Sequence, residues 1–412
     1  MPRLLLAYHF FHPDDVVSAR IFSDLAVEQQ RRGWEVSVVT SNRSCFDRAR
    51  VFPAFEDWNG VQIHRVFRPP WTQSRPLQRL ANSGWMTAAW LAKIAALSRS
   101  TPFDAVIVGS DPAFSPALAR GLRRLLPRAA LVHWCFDLYP EAIAAEGATG
   151  VVAALVPLAR GLMRWGYGAY DALVDIGPRM QERLRAYGTG AAQQTLVPWA
   201  LAEPPSAQAA DPGVRAELYP RAKLGLLYSG TMGRAHDHRA FLALARACRA
   251  RSGDDVGFCF ASRGNRQDEL AAAVTPEDTN VRLVPFADEA ALRARLGAAD
   301  IHLVSLQPQW AGVVVPSKFF GSLAVGRPLL YAGPADSEIA RWIGQYDVGL
   351  TLGDDVGPVA DRLHALARQP EDLARWQANA FAVYRREFSK EVVNDRWDEA
   401  LRALVRQRAG GA

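Results

Sequence analysis

Two segments in the second half of the chain combine small residues with a basic side chain, a combination that binds phosphate. The first, Ser229-Gly230-Thr231-Met232-Gly233-Arg234, lies between a predicted strand and a predicted helix. Its two glycines let backbone N–H groups approach a phosphate, the helix end adds a favourable dipole, and Arg234 adds a full positive charge. The segment predicts a phosphate site, although an ordinary strand-to-helix turn explains these residues equally well.

The second segment, residues 315–328, predicts a helix that begins near Ser317 and stops at Gly326-Arg327-Pro328. Ser317 would cap this helix, and Lys318 would add a point charge for a diphosphate, unless Lys318 is an ordinary surface residue. No G-x-G-x-x-G follows the first strand, and no G-x-x-x-x-G-K-[ST] occurs in the chain. These absences argue against NAD enzymes and P-loop NTPases.

Acidic side chains follow two predicted strands in the first half of the chain. Asp14 and Asp15 follow the first strand, and Asp137 and Glu141 follow the strand that ends at Trp134. Carboxylates at strand ends suit acid–base catalysis or the stabilisation of a positively charged transition state. Helix capping by Asp14 or Asp137 is the structural alternative.

Histidines lie near some of the same turns. His236 follows the first glycine-containing segment, where it either contacts a phosphate or packs the turn. His12 and His133 lie close to strand ends without a partner pattern, which makes them secondary candidates.

Short apolar runs that alternate with helical patterns would position these residues, and this alternation predicts parallel sheets covered by helices. The predicted strands are 4–8, 36–40, 105–109, 130–134, 172–176 and 195–198, then 224–229, 256–261, 281–285, 301–305 and 328–331. Residues 200–222 lack a periodic pattern and predict a linker. The fold class is therefore α/β, with two doubly wound, Rossmann-like domains facing a cleft that the loops after the strands would line.

The order of motifs resembles the retaining glycosyltransferases of family four, which have the GT-B fold, over nearly the whole chain. The matching segments are HPDDVVSAR at 12–20, DLYPE at 137–141, YSGTMGRAHD at 228–237, PSK at 316–318, GRP at 326–328 and DSEIA at 336–340. They look most like the branch that builds bacterial surface polysaccharides. The resemblance implies an acceptor-side domain at 1–204, a donor domain at 205–380, and a C-terminal helix within 381–412 that crosses back to the first domain.

The resemblance also implies a metal-independent, hexosyltransferase-type enzyme that uses no cofactor. Its substrate would be a nucleotide diphosphate-sugar, UDP-linked, and its acceptor an anionic lipid-linked or saccharide molecule. We assign catalysis to Asp137, Glu141 and Asp15. We assign donor binding to Gly230, Thr231, Gly233, Arg234, His236, Arg263, Pro285, Phe286, Ser317, Lys318 and Glu338.

One departure from the family concerns two glutamates eight residues apart that many members direct at the donor. The equivalent positions here are Val313 and Gly321, so Ser317, Lys318 and Glu338 become the nearest substitutes. A nucleotide-sugar 2-epimerase of the same fold, and a nucleotide-sugar-binding protein without turnover, remain alternative functions.

Positive charge is concentrated in the first half of the chain. Residues 1–200 hold 22 basic and 16 acidic side chains, which accounts for the whole formal charge of +6. Residues 58–103 contain no acid but carry Arg65, Arg68, Arg75, Arg79, Lys93 and Arg99, together with Trp58, Trp71, Trp85 and Trp90. This segment predicts either a surface for an anionic partner or a solvated face with buried tryptophans.

The uncharged stretch 80–92, which contains Trp85, Met86, Trp90 and Leu91, favours a helix lying in a membrane interface. Apolar runs are too short to span a bilayer.

Nucleic acid is not an expected partner, because the charge is confined to one domain and no recognition motif occurs. Four cysteines without a C-x-x-C pair fit a reducing compartment. We therefore expect a cytoplasmic protein, attached peripherally to the inner face of the plasma membrane.

Overall fold

The computed structural model describes residues 1–71, 76–100, 102–264, 266–286 and 289–410. The chain divides into two compact units. Unit 1 comprises Met1–Val197, Gly312–Val314 and Val393–Ala412, and unit 2 comprises Pro198–Ala311 and Val315–Val392. The boundary that the sequence predicts, between 204 and 205, lies seven residues further along the chain than the division at 197 and 198.

Unit 1 is built on a mainly parallel sheet. Its described strands are β1 (Arg3–Ala7), β2 (Glu35–Ser41), β3 (Phe55–Trp58), β4 (Val61–Val66), β5 (Ala105–Gly109), β6 (Ala130–Trp134), β7 (Ala172–Asp175) and β8 (Ala192–Thr195). They lie in the order β3-β4-β2-β1-β5-β6-β7-β8, and only the β3–β4 pair is antiparallel. β1, β5 and β6 are continuous apolar runs because helices cover both faces of the sheet.

The described helices of unit 1 connect these strands. They are α1 (Val17–Arg31), α2 (Pro76–Ser98), α3 (Leu118–Leu125), α4 (Glu141–Ala145), α5 (Gly150–Tyr167) and α6 (Pro178–Arg185). Right-handed crossovers place α1 on one face of the sheet, and α2, α3, α5 and α6 on the other. None of the helices in the described ranges is both long enough and apolar enough to cross a membrane.

The sequence prediction missed β3 and β4. They form a hairpin whose turn residues, Asn59 and Gly60, have φ values of 52° and 78°. An Asn-Gly pair with both φ angles positive is the strongest short-range hairpin signal. Burial alternates from residue to residue along both flanking strands, so they lack the buried apolar runs on which the other strand predictions rested.

The basic, tryptophan-rich segment is partly internal, which limits the surface that the membrane prediction requires. Arg65 and Arg68 are buried, and Arg65 binds Glu56 at 2.7 Å. Met86 and Trp90 are also fully buried, so these two side chains of α2 are not available to a membrane interface. Arg75, which the same prediction included, lies outside the described residues.

Unit 2 contains a second parallel sheet. Its described strands are β9 (Leu224–Thr231), β10 (Val256–Arg263), β11 (Val281–Leu283), β12 (Ile301–Ser305), β13 (Leu329–Ala332) and β14 (Gly349–Leu352). They lie in the order β11-β10-β9-β12-β13-β14, which is the strand order of a Rossmann sheet. The described helices are α7 (Pro212–Leu218), α8 (Arg239–Ser252), α9 (Gln267–Ala273), α10 (Glu289–Ala298), α11 (Lys318–Ala324), α12 (Glu338–Tyr346), α13 (Gly357–Leu366) and α14 (Glu371–Val383).

The sequence resemblance implies a C-terminal helix within 381–412, and the structure divides the C-terminal helical stretch within that range. After α14, a π-helical turn at Tyr384–Phe388 leads to Ser389, whose extended backbone precedes α15 (Lys390–Gly410). From Val393 onwards the chain belongs to unit 1. There Trp397 packs against Trp134, with ring centroids 4.8 Å apart.

Candidate functional site

The carboxyl ends of β1, β5 and β6 bring polar side chains together in unit 1. His9 follows β1, Asp111 follows β5 and Asp137 follows β6, and the three strands are neighbours in the sheet. His9 is fully buried, and its Nδ1 lies 3.0 Å from Oδ2 of Asp111. The Ser110 hydroxyl accepts hydrogen bonds from the backbone N–H groups of Phe136 and Asp137, both at 3.2 Å, and so ties two strand ends together.

Asp137 has the electrostatic character of a catalytic carboxyl group. Burial, followed by the nearby charge of Asp111, raises the pKa of Asp137 to about 6. A carboxyl group with a pKa close to the working pH transfers protons efficiently. The residue as a whole is nevertheless partly exposed.

Sequence reasoning missed the His9–Asp111 pair. The Nδ2 atom of Asn82 lies 3.5 Å from Nε2 of His9, which adds a contact from α2. Tyr8-His9 and Ser110-Asp111 each follow a buried strand directly, so the rule that singled out Asp137 would also have found them. His133, a secondary candidate of the sequence analysis, is buried between Tyr167 and Tyr170, and burial lowers its pKa to about 3.

The other acidic candidates of unit 1 have partners that define their roles. Asp14 accepts hydrogen bonds from the Ser44 hydroxyl at 2.8 Å and from the Cys45 N–H at 3.0 Å. It therefore holds the loop after β2 rather than capping a helix. Asp15 is 78% exposed and lies 3.5 Å from Arg20.

Glu141 makes a charged contact with α5. Its carboxylate accepts hydrogen bonds from Nε of Arg160 at 3.0 Å and from the Tyr187 hydroxyl at 2.9 and 3.0 Å. Because the side chain is only 8% exposed, these partners largely saturate it. The geometry favours an anchoring role over a catalytic one.

In unit 2 the two segments predicted to bind phosphate lie against each other. Nζ of Lys318, the first residue of α11, donates a hydrogen bond to the carbonyl of Thr231 at 2.9 Å. It also lies 5.0 Å from the centre of the Tyr228 ring. Burial lowers the pKa of Lys318 to about 8. The ammonium group is thus charged at neutral pH but poorly solvated, and an anion would relieve this.

The local structure of these segments differs from the prediction in two respects. β9 continues through Thr231, so Gly230 and Thr231 belong to the strand end, while Gly233 and Arg234 lie in the following turn. Ser317 has helical backbone angles and its side chain makes no capping hydrogen bond. Its hydroxyl is therefore not committed to the cap that the sequence predicts.

His236 is held in one tautomer by the end of β12. Its Nδ1 lies 2.7 Å from the carbonyl oxygen of Ser305, so Nδ1 carries the proton and donates. Burial, followed by the charge of Lys318, lowers the pKa of His236 to about 3. The ring is neutral at pH 7, and its Nε2 is a hydrogen-bond acceptor rather than a donor.

Two side chains that the sequence did not suggest position this turn. The Gln307 amide donates to the carbonyl oxygens of Arg234 and His236, at 3.1 and 3.0 Å. Nη1 of Arg266 also donates to the carbonyl oxygen of His236, at 2.6 Å. They fix the backbone from Arg234 to His236, and no motif in the sequence points to them.

The remaining donor candidates surround the same sheet edge. The Arg263 guanidinium lies 4.3 Å from the centre of the Phe286 ring, next to Pro285, and all three residues are exposed. An exposed aromatic ring with a guanidinium group suits the stacking of a planar base. Glu338 is buried at the start of α12, whose N-terminus Ser337 caps.

Val313 and Gly321, the positions at which the resembling family carries two glutamates, differ in burial and in surrounding space. Val313 is buried in unit 1, where its carbonyl oxygen accepts a hydrogen bond from the Leu138 N–H at 3.0 Å. Gly321 lies on α11 in unit 2, and a Cβ atom there would have no neighbour within 4 Å. Open space therefore exists at Gly321 where the resembling enzymes carry a carboxylate.

Comparison with known proteins gives matches over both units. Residues 18–200 match the family model described as Glycosyl transferase 4-like domain. Over 336 residues, covering 77% of this chain and 79% of the other, the chain is 24% identical to the probable glycosyltransferase WbjE of Pseudomonas aeruginosa. Sucrose-phosphate synthase of Thermosynechococcus elongatus superposes with a TM-score of 0.72 at 15% identity, over 98% of this chain and 99% of that one. HepE of Anabaena, in complex with UDP, superposes with a TM-score of 0.65 at 13% identity, over 98% and 100%.

The structural neighbours confirm the fold class predicted from the sequence, two Rossmann-like α/β domains as in GT-B glycosyltransferases. At identities this low they establish the fold alone. The family model and the WbjE homology carry the functional information, and both describe sugar transfer. Together they support a glycosyltransferase enzyme built on the GT-B fold.

Proposed function

We propose that the protein transfers a sugar from a UDP-linked donor to an anionic, lipid-linked acceptor, with retention of configuration and without a metal ion. The observation that carries the proposal is the contact of Lys318 with the Gly230–Thr231 strand end, where a partly buried amine donates to the Thr231 carbonyl and its pKa is lowered to about 8. HepE, which has the same fold, has been solved with UDP and with UDP-glucose. Unit 2 is accordingly the donor unit of the proposal.

Lys318 and Arg234 would offset the charge of the donor diphosphate. Lys318 offers a desolvated ammonium group, and Arg234 is exposed on the turn that Gln307 fixes. Charges that are already positioned stabilise a leaving group without reorganisation during the reaction. These two side chains and nearby backbone N–H groups take the part that a divalent cation plays in other transferases.

His236 would recognise the sugar or the ribose, and the space at Gly321 would accommodate it. With Nδ1 donating to Ser305, His236 offers only the Nε2 lone pair, which suits a hydroxyl group rather than a phosphate oxygen. Glu338 is 1% exposed at the start of α12, so we do not retain it as a residue that contacts the donor. Arg263 and Phe286 form a platform for the base.

Asp137 is the proposed acid–base residue of unit 1. A pKa of about 6 leaves it mostly ionised at neutral pH, so it can accept the proton of the acceptor hydroxyl as that oxygen bonds to the sugar and the bond between the sugar and the diphosphate breaks, releasing UDP. Buried His9, paired with Asp111, supports the same sheet edge. We do not retain Glu141 as catalytic, because Arg160 and Tyr187 occupy its oxygens.

The experiment that tests the proposal is product analysis with a panel of UDP-sugars, with and without lipid-linked acceptors. A glycosylated acceptor with the anomeric configuration of the donor, determined by NMR, supports it. Epimerised UDP-sugar formed without acceptor would show a 2-epimerase instead. UDP binding by calorimetry without turnover of any donor would show a binding protein.

A further inference from the structure

Two carboxyl groups follow neighbouring strands at the carboxyl edge of the sheet in unit 1. β5 pairs with β6 in parallel, so Asp111, two residues beyond β5, lies on the segment next to Asp137, three residues beyond β6. The Ser110 hydroxyl accepts a hydrogen bond from the Asp137 N–H at 3.2 Å and holds the two segments together. Adjacent strands are about 4.8 Å apart, and like charges at such distances repel strongly where water is scarce.

His9 fixes the position of Asp111 in two ways. Its backbone N–H donates to the carbonyl oxygen of Asp111 at 3.1 Å, and its Nδ1 lies 3.0 Å from Oδ2 of the same residue. Because a carboxylate only accepts, Nδ1 carries the proton and donates. The ring is fully buried and stacks on Phe10, with ring centroids 4.2 Å apart. The carboxylate of Asp111 is therefore held in one place, although its side chain is 33% exposed.

Four further titratable side chains surround the two carboxyl groups and are uncharged at neutral pH. They are Tyr8, Cys45, Cys135 and Tyr139. Burial raises the pKa of each of them. Two cations lie further out: the charge of Arg68 interacts with Asp111, and that of Arg79 on α2 interacts with Tyr139. The charge that acts most strongly on Asp137 is that of Asp111.

We propose that Asp111 is a positioning residue for Asp137: fixed by His9, its carboxylate makes Asp137 a stronger base than an isolated aspartate. The reason is the charge of the pair. When Asp137 is ionised, two negative charges face each other, and when Asp137 takes up a proton this repulsion ends. Burial, which is the larger cause, and the charge of Asp111 together raise the pKa of Asp137 from the ordinary 3.8 to about 6.

The catalytic consequence of this pair rests on the proposed function. As the acceptor oxygen bonds to the sugar, the bond from the sugar to the diphosphate breaks, UDP leaves, and the proton of the acceptor hydroxyl passes to Asp137. Asp137 becomes neutral in that step, whereas Asp111 and His9 keep their protonation states. Because the step relieves the repulsion between the two carboxylates, Asp111 lowers its barrier. The same repulsion delays the ionisation of Asp137 to higher pH, so activity should be lost on the acid side.

The dependence of kcat on pH tests the inference. Asp111→Asn removes the second charge and makes Asp137 a weaker base, so kcat on the alkaline plateau should fall by about two- to threefold. The acid limb of the profile should move to lower pH by about half a unit or more. An acid limb that stays in place while kcat falls would show a merely structural role for Asp111 and would overturn the inference.

Variants of His9 test whether the histidine acts through Asp111. His9→Leu releases the Asp111 carboxylate and should move the acid limb in the same direction as Asp111→Asn. His9→Asn, whose amide can take the place of Nδ1, should restore the wild-type profile. Asp57→Asn is the matched control, since it removes an exposed carboxylate of β3, at the far edge of the same sheet, and should leave the profile unchanged.

Melting temperatures test the same pair without any use of activity. Because the folded-state pKa of Asp137 is raised, the stability that this group contributes is lost as pH rises through about 6. Asp137→Asn should therefore gain melting temperature relative to its parent between about pH 4.5 and pH 7, and the gain should be smaller when Asp111→Asn is also present. Equal gains in both backgrounds would overturn the inference even for an active transferase. Unequal gains in a protein whose kcat does not depend on Asp137 would support the inference about the pair and reject the proposed catalytic role.

Discussion

Gly230 and Lys318 are matched in shape: a Cβ atom at Gly230 would lie 2.8 Å from Cε of Lys318. Gly230 also has a φ of 125°, in the region that favours glycine. The strand end therefore needs glycine for two reasons, its own conformation and the approach of the lysine. This relationship explains how two segments 87 residues apart come into contact.

Gly230→Ala should weaken UDP binding about tenfold or more, because the added methyl group strains the strand end and displaces Lys318 from Thr231. Isothermal titration calorimetry with UDP measures the change. Gly344→Ala, on α12, is the control: a Cβ atom there meets nothing within 4 Å and the residue has no positive φ. Equal losses in both variants, or none in Gly230→Ala, would contradict the role given to this contact.

Asp137→Asn should lower kcat by about a hundredfold or more, the effect of removing an acid–base residue, while UDP affinity stays unchanged. The folded-state pKa of Asp137 is raised to about 6, so ionisation of this group costs stability above that pH. The variant should therefore melt at the same or a higher temperature than wild type at pH 7. A lower melting temperature with normal kcat would show a structural role instead.

Glu141→Gln should destabilise unit 1 by about 1 to 3 kcal/mol, because it removes a buried charge partner of Arg160 and an acceptor for Tyr187. Thermal melting measures the loss, and kcat at a temperature well below the melting transition should be nearly normal. Glu182→Gln, which removes an exposed partner of Arg179, is the control and should change stability by no more than about 0.5 kcal/mol. A collapse of kcat in Glu141→Gln without loss of stability would restore Glu141 as a catalytic residue.

Most of the two sheets could be predicted because their central strands are continuous apolar runs. Leu4, Leu5 and Leu6 are all fully buried, as a strand covered on both faces requires. The sequence analysis did not predict the β3–β4 hairpin, because its strands are not continuous buried runs. The Asn59-Gly60 pair is the signal that would have predicted it. The division between α14 and α15 was not predicted either. It depends on the extended backbone of Ser389, which the pattern of apolar residues does not reveal.

The candidate site could be predicted only where a side chain follows a strand or a glycine-containing turn. Asp137 met that condition, whereas Lys318 was suggested by its place at the start of a predicted helix. Gln307 and Arg266 donate hydrogen bonds to backbone carbonyl oxygens of a turn that is distant in sequence. Composition and residue spacing do not predict such contacts. The membrane prediction rested on the uncharged stretch 80–92, and only tertiary structure shows that Met86 and Trp90 of this stretch face inwards.

The pH dependence of UDP binding provides the most specific test of Lys318. With a pKa of about 8, its amine loses charge between pH 7 and 9, so UDP affinity should fall by up to about tenfold over that range. Since the folded-state pKa lies below the usual 10.5 of lysine, the unfolded chain binds more protons between pH 8 and 10.5, and this group makes the fold more stable as pH rises there. The expected loss of affinity is therefore not a consequence of unfolding, and an unchanged melting temperature at pH 9 checks this. Lys318→Met, which keeps the bulk of the side chain, should bind UDP weakly and equally at both pH values, whereas a parallel decline in the variant would assign the titration to another group.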